Sequence, residues 1–275
     1  MILADSGYFL ADERNAHGEL RPDITAKGDW VTKAYDQFRV DVVNLSSREL
    51  KYFSPSLTKA GFEGRAASQP LLRRLVSANT IAASPDVVSP QPFIVKKVKA
   101  RQESGETTML RVAFIGLTEA QPSPPNGFKF VDPVEAAKRT VPEARKQADL
   151  VIALAYVKPE AAAQIGREAP GIDVIIATNS QSDGAMFTAP ATSGNTLILF
   201  TSFETRMMGE LRFYRDSQGK FSTVSRYITL DEIVPDNPAA KQLTVLATDA
   251  ETGARAASKE LLEGWLAASR SRKTK

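Results

Sequence analysis

Short apolar runs at residues 2–4, 40–45, 110–117, 150–156, 172–177 and 197–201 are rich in Val, Ile and Leu and too brief to be helices. They read as buried strands. Stretches with helical spacing lie between several of them, as where Trp30, Val31, Ala34 and Phe38 recur about one turn apart ahead of the run at Val40. Asp132-Pro133-Val134-Glu135 opens another. Asp132 can cap it, Pro133 suits the first helical position, and Glu135 can reach back to complete a capping box, so a helix is expected from there to about Gln147. The alternation predicts an α/β fold with helices packed outside a sheet.

Two segments depart from it. Residues 93–100, the turn Glu103-Ser104-Gly105-Glu106 and residues 109–116 read as one hairpin; residues 209–214, Asp216-Ser217-Gln218-Gly219 and residues 221–228 read as a second. Mixed sheets follow. Pro122-Ser123-Pro124-Pro125-Asn126-Gly127 and residues 180–195 are loops. With 275 residues, 43% of them hydrophobic, one large domain over 1–235 can bury a full core. Residues 236–275 leave room for helices, such as one at 256–268 around Trp265 that docks on the domain, and for the solvated basic tail Ser269-Arg270-Ser271-Arg272-Lys273-Thr274-Lys275.

Composition removes whole classes of chemistry. With no cysteine there are no disulfides, thiolate metal sites or cysteine nucleophiles. His17, the only histidine, sits in a polar loop with no second imidazole to complete a metal site or triad. The net charge of +3 and pI near 9.0 come from scattered Lys and Arg, which weighs against nucleic acid and membrane partners. No apolar run approaches the ~20 residues of a membrane span, and no signal peptide is visible. Phosphate loops, dinucleotide fingerprints and a Gly-x-Ser-x-Gly elbow are absent, and the Met207-Met208 pair reads as core filler.

Successive blocks then carry a resemblance. Ile2-Leu3-Ala4-Asp5-Ser6-Gly7, Asp41-Val42-Val43-Asn44-Leu45-Ser46-Ser47-Arg48-Glu49-Leu50, Ser77-Ala78-Asn79, Val112-Ala113-Phe114-Ile115-Gly116-Leu117-Thr118, Ala148-Asp149-Leu150-Val151-Ile152-Ala153-Leu154 and Gly171-Ile172-Asp173-Val174-Ile175-Ile176 resemble, in order and spacing over residues 1–215, the 5′-nucleotidase and UDP-sugar hydrolase family of calcineurin-like metallophosphoesterases. The resemblance implies a four-layer α/β/β/α sandwich of two mixed sheets. It also implies a first strand with an Asp-x-His pair some tens of residues before Ile2 and a separate nucleoside-binding domain, neither of which this sequence supplies. A sandwich without that first strand is one expectation.

Such a family holds two divalent metals about 3.5 to 4 Å apart to polarise a phosphate ester and generate hydroxide. The resemblance places its ligands in short motifs, and here those residues are replaced. Asp-x-Gly-Asp reads Asp5-Ser6-Gly7-Tyr8, so Tyr8 stands for the ligand; Gly-Asn-His-Glu reads Ser46-Ser47-Arg48-Glu49, so Ser47 replaces the ligand Asn and Arg48 the catalytic His. Lys51 stands for that His's Asp partner, Tyr156 for a His, and Asn179 and Gln181 occur in the closing motif Thr178-Asn179-Ser180-Gln181. Only Glu49 keeps its identity.

The vestigial or anion-binding site is therefore expected at Asp5, Tyr8, Ser47, Arg48, Glu49, Lys51, Asn79, Tyr156, Asn179 and Gln181, with no catalytic residue, metal or other cofactor. Tyr8, Arg48, Tyr156, Asn179 and Gln181 should line one hollow. Three functions are open: a degenerate domain for binding or structural support, a divergent metal-dependent phosphoesterase, and a small-anion binding module in which Arg48 grips phosphate or carboxylate. A periplasmic or cell-surface location is implied by the resemblance alone. A small anion or a protein would be the partner.

Overall fold

In the computed structural model the described residues are 1–15, 18–101, 105–178, 189–201, 206–216 and 221–273, with the backbone alone described at 261–262 and 264–273. In chain order the elements are β1 (Ala4–Asp5), α1 (Pro22–Gln37), β2 (Val42–Asn44), α2 (Ser47–Phe53), α3 (Lys59–Arg65), a 3-10 turn (Pro70–Arg74), β3 (Leu75–Val76), β4 (Thr80–Ala82), β5 (Phe93–Arg101) and β6 (Thr107–Thr118). They continue with β7 (Phe128–Phe130), α4 (Pro133–Gln147), β8 (Leu150–Tyr156), α5 (Pro159–Glu168), β9 (Val174–Ala177), β10 (Ala191–Ser193), β11 (Thr196–Phe200), β12 (Met207–Arg215), β13 (Phe221–Thr229) and α6 (Pro238–Lys273). One compact unit comprises Met1–Tyr8 and Arg39–Val234, and the other Phe9–Phe38 and Pro235–Lys275.

The first unit is built on a six-stranded sheet in the order β10-β11-β9-β8-β6-β5, parallel from β11 to β6 and antiparallel at both edges. Its two faces alternate along each strand. Ala113, Ile115 and Leu117 of β6 and Val151, Ala153 and Ala155 of β8 pack with Ala136, Val141 and Ala144 of α4 and with Ala162 and Ile165 of α5. The intervening Val112, Phe114, Leu150, Ile152 and Leu154 meet Val42 and Val76. Those two belong to a second, parallel sheet, β1-β2-β3. Strands covered on both faces need continuous apolar runs, which is what residues 112–117 and 150–156 display. Layers of helix, mixed sheet and second sheet result, as the alternation and hairpins predict. Both expected hairpins form, β5 with β6 and β12 with β13; the turn residues 103–104 and 217–219 lie outside the described residues.

The two sheets approach each other tightly at Gly116. It sits on the inner face of β6 between Phe114 and Thr118, and a Cβ there would collide with the Val76 carbonyl oxygen and stand 2.7 Å from Asn44 Oδ1. Backbone meets backbone. The Gly116 carbonyl accepts from the Ala78 N–H at 2.7 Å, tying β6 to the segment that follows β3.

Several local expectations change. Asp132 Oδ1 caps α4 by accepting the Val134 and Glu135 N–H groups at 2.9 and 3.0 Å, but the Glu135 carboxylate turns outward to Lys138 at 3.0 Å instead of reaching back. The Asp already serves the first turn. Met208 is about half exposed and Met207 partly buried, so the pair does not fill a core as expected; it opens β12, which pairs with β13. The helix expected over 256–268 is part of a 36-residue α6, whose Ala-rich sequence from Pro238 carries the chain through Gly253 and Gly264. Asn237 Oδ1 caps its start. The side chain of Trp265, expected to dock, lies outside the described residues. In the second unit α6 packs on α1, where the buried Asp23 carboxylate accepts from Arg21 at 2.5 Å and from Arg255 at 3.3 Å; the hydrogen bond from Arg21 holds its pKa below the ordinary carboxylate value. Among the described residues no helix is long and apolar enough to cross a membrane.

Gly116→Ala should lower stability by about 1–3 kcal/mol, since the methyl group must displace a backbone carbonyl and not a flexible side chain. Gly64→Ala in α3, where a Cβ meets nothing within 4 Å, is the control and should leave the midpoint unchanged or raise it. Thermal unfolding of the two variants checks this.

Candidate functional site

The turn after β1 lies where the strands of the first unit give way to loops. Gly7 has φ +93°, and a Cβ on it would press to 2.9 Å from the Asn44 carbonyl oxygen, so glycine is required there. Its N–H donates to Asp5 Oδ1 at 2.7 Å. Tyr8 follows with φ 73°, a left-handed conformation that a bulky side chain rarely adopts. Such strain costs about 1–3 kcal/mol and persists only where neighbours impose it.

Two neighbours do so. The Tyr8 N–H donates to Glu49 Oε2 at 3.0 Å, and that fully buried carboxylate oxygen also accepts from the Ser46 N–H at 3.2 Å and from the Ser46 hydroxyl. Ser46 and Glu49 form a reciprocal capping box that starts α2. Glu49 is thus a structural anchor reaching back 41 residues to the turn. The signal was present: Ser46-Ser47-Arg48-Glu49 is a capping-box sequence, although the resemblance presents it as a depleted ligand motif.

The second neighbour is a three-layer stack. The Arg48 guanidinium carbon lies 3.6 Å from the centre of the Tyr8 ring, and Nη2 donates to the Tyr8 hydroxyl. The other face of Tyr8 packs on Tyr156, with ring centres 4.5 Å apart and planes 12° from parallel. An exposed cation–π contact contributes about 0.5–1 kcal/mol and an aromatic pair about 0.5–1.5 kcal/mol. Their sum is of the size of the strain at Tyr8, so the turn depends on the stack and on Glu49 together. Burial, and then a hydrogen bond with the Tyr8 hydroxyl, push the Tyr156 phenol above the ordinary tyrosine value; the nearby Arg48 charge opposes this more weakly.

The other expected residues divide. Ser47 is buried at the first position of α2. Lys51 lies three residues after Arg48 on the same helix, so the two project on one side of it. Asn79 is not in the stack. Fully buried, it donates to the Thr118 and Val131 carbonyls at 2.7 and 3.0 Å and accepts the Thr118 N–H at 2.9 Å, clipping together the chain before β4, the end of β6 and the segment leading into α4. Asn179, Gln181 and His17 lie outside the described residues. The hydroxyl of Thr178, just before them, meets that of Ser6 at 2.7 Å and brings the end of β9 to the same turn.

Asn44 was not among the candidates. It donates to the carbonyls of Ser6 at 2.9 Å and Leu117 at 2.8 Å from a fully buried position between the sheets. A polar residue inside the apolar run 40–45 was its only signal. Among the described residues no three or more His, Cys, Asp or Glu side chains converge.

No family model matches this sequence, and no curated protein matches it. Its fold matches solved structures. The calcineurin-like phosphoesterase YfkN from Bacillus subtilis aligns with a TM-score of 0.58 and 14% identity over 92% of this chain and 97% of that one. A 5′-nucleotidase precursor from Thermus thermophilus gives 0.60 and 18% over 82% of this chain, and the sulfate thiohydrolase SoxB from the same organism gives 0.64 and 15% over 92%. This chain spans 46% and 42% of those last two structures.

The stack gives an alkaline signature. Because the folded Tyr156 pKa is raised, its contribution is fully present below the unfolded tyrosine value of about 10 and is lost as pH rises through the folded value. Above about pH 10 the parent should lose stability faster than Tyr156→Phe, in which that titration is absent. Chemical unfolding of both proteins at neutral and alkaline pH measures the difference.

Proposed function

From the fold of calcineurin-like phosphoesterases and 5′-nucleotidases, we propose that this chain is a catalytically degenerate 5′-nucleotidase-like domain that acts in binding or structural support. The single observation that carries the reading is the Arg48–Tyr8–Tyr156 stack, formed by three residues that the motif blocks align with metal-ligand or catalytic positions. Two divalent ions require several carboxylate or imidazole donors. These positions offer a guanidinium, two phenols and a serine hydroxyl, while the remaining Asp5 and Glu49 carboxylates accept backbone N–H groups. That donor set does not fit a dinuclear centre. The fixed charge of Arg48 adds repulsion: two unit charges 4 Å apart at an effective dielectric of 20 interact by about 4 kcal/mol, and a dication doubles this. A periplasmic or cell-surface location belongs to the same proposal and rests on the sequence resemblance alone.

A second reading, binding of a small anion, is favoured by the placement of Arg48 and Lys51 on one side of α2. Phosphate or sulfate would then raise the unfolding midpoint at fixed ionic strength in the parent and leave Arg48→Ala unmoved. Equal responses in both proteins reject that reading and leave structural support.

The purified chain is expected to carry no stoichiometric Zn, Mn or Fe and to show no metal-dependent turnover of a nucleoside monophosphate or a generic phosphodiester. Elemental analysis combined with a phosphate-release assay checks this. Two metals per chain together with metal-dependent turnover would overturn the proposal.

A further inference from the structure

The far end of the six-stranded sheet carries a second feature, independent of the stack. β5 is the terminal strand of that sheet, none of its nine residues is fully buried, and among the described residues no strand pairs with its outer edge along Phe93–Arg101. Such an edge presents main-chain N–H and C=O groups that another strand can complete. On its helix-side face, where Phe93 and Val95 still touch the core, the strand continues with Lys97, Lys99 and Arg101, all exposed and none in an ion pair among the described residues. Cations recur at every second residue, about 6.4–6.8 Å apart.

The neighbouring strand does not neutralise them. The register sets Lys97 opposite Arg111, Lys99 opposite Met109 and Arg101 opposite Thr107. A like-charge pair directly across two strands is unfavourable. Asp149 pairs with Arg111 at 2.9 Å, so among the described residues no carboxylate pairs with the row on β5, while Met109, half exposed, lies among the cations. Lysines on an edge also discourage pairing between copies of the same chain, because identical rows repel. The same row attracts a strand of opposite charge.

We propose that β5 docks an extended acidic segment of a partner protein as an added strand, with Asp or Glu at every second residue facing Lys97, Lys99 and Arg101. In an added strand, side chains on one face stand directly opposite those of β5, so a two-residue carboxylate repeat matches the cations in register. Outward N–H and C=O groups complement a peptide backbone and have no such counterpart in a nucleic acid, which is why a protein segment fits the edge better than another polyanion.

The test uses the full chain and a fluorescent peptide alternating Val with Glu, followed by anisotropy at physiological salt. Three comparisons accompany it: the same peptide N-methylated at alternate residues, a peptide of equal composition with its Glu residues in one block, and a single-stranded oligonucleotide. The alternating peptide should bind, and each modified peptide should bind more weakly by about tenfold or more, because either the main-chain bonds or the charge register is lost. Binding should also fall by about tenfold or more in Lys97→Gln/Lys99→Gln/Arg101→Gln, whose unfolding midpoint should match or exceed the parent's, and remain unchanged in Lys59→Glu as a surface control. No binding by the parent overturns the proposal. So does equal binding of the N-methylated peptide, or tighter binding of the oligonucleotide, since either would make the row a general polyanion surface.

Discussion

Everything in the first unit is arranged around the place where its two sheets touch backbone to backbone. At Gly116 the separation leaves no room for a methyl group, and the polar main-chain atoms trapped nearby must find partners within the protein. The amides of Asn44 and Asn79 provide them, each bridging chain segments that are distant in sequence. A buried amide stabilises only through the bonds it makes, and these two fix the ends of β1, β2 and β6 relative to one another. Tyr8 follows the end of β1, Arg48 stands in α2 just after β2, and Tyr156 ends β8 beside the last residue of β6.

This scaffold explains how a strained turn survives. The left-handed backbone of Tyr8 is offset by contacts on both ring faces and by a hydrogen bond to a carboxylate that simultaneously caps a helix. Removing Glu49 would release both the turn and the start of α2, whereas removing Arg48 would uncover one ring face only. Tyr8, Arg48, Glu49 and Tyr156 therefore form a mutually supporting structural set.

How much of this could be read from the sequence depended on the kind of signal. Short β-branched apolar runs located β6 and β8, the cap at Asp132 located the start of α4, and paired runs around Gly-containing turns located both hairpins. Tyr8, Arg48 and Tyr156 were gathered by motif order, and the structure brings them into contact. Asn79 was selected for the same reason and proves to be a clip within the scaffold. Asn44 and the bond from Tyr8 to Glu49 were harder to see: each spans about 40 residues of chain or more, and periodicity carries no record of such bonds. The basic residues of β5 are clustered in the linear sequence at 96–101, but their repeat of two becomes a stripe on one face only on a strand.

The central claim is that an arginine–tyrosine–tyrosine stack, and not a pair of metal ions, organises the end of the sandwich. Side-chain NMR with Mn²⁺ as a paramagnetic probe tests it most directly, because bound Mn²⁺ broadens signals within a short radius. The account predicts that the Arg48 guanidinium resonances show the ring-current shift of Tyr8, lose it in Tyr8→Leu, and broaden no more than exposed control arginines as Mn²⁺ is added. Selective broadening of Tyr8, Arg48 and Tyr156 at stoichiometric Mn²⁺ would contradict it.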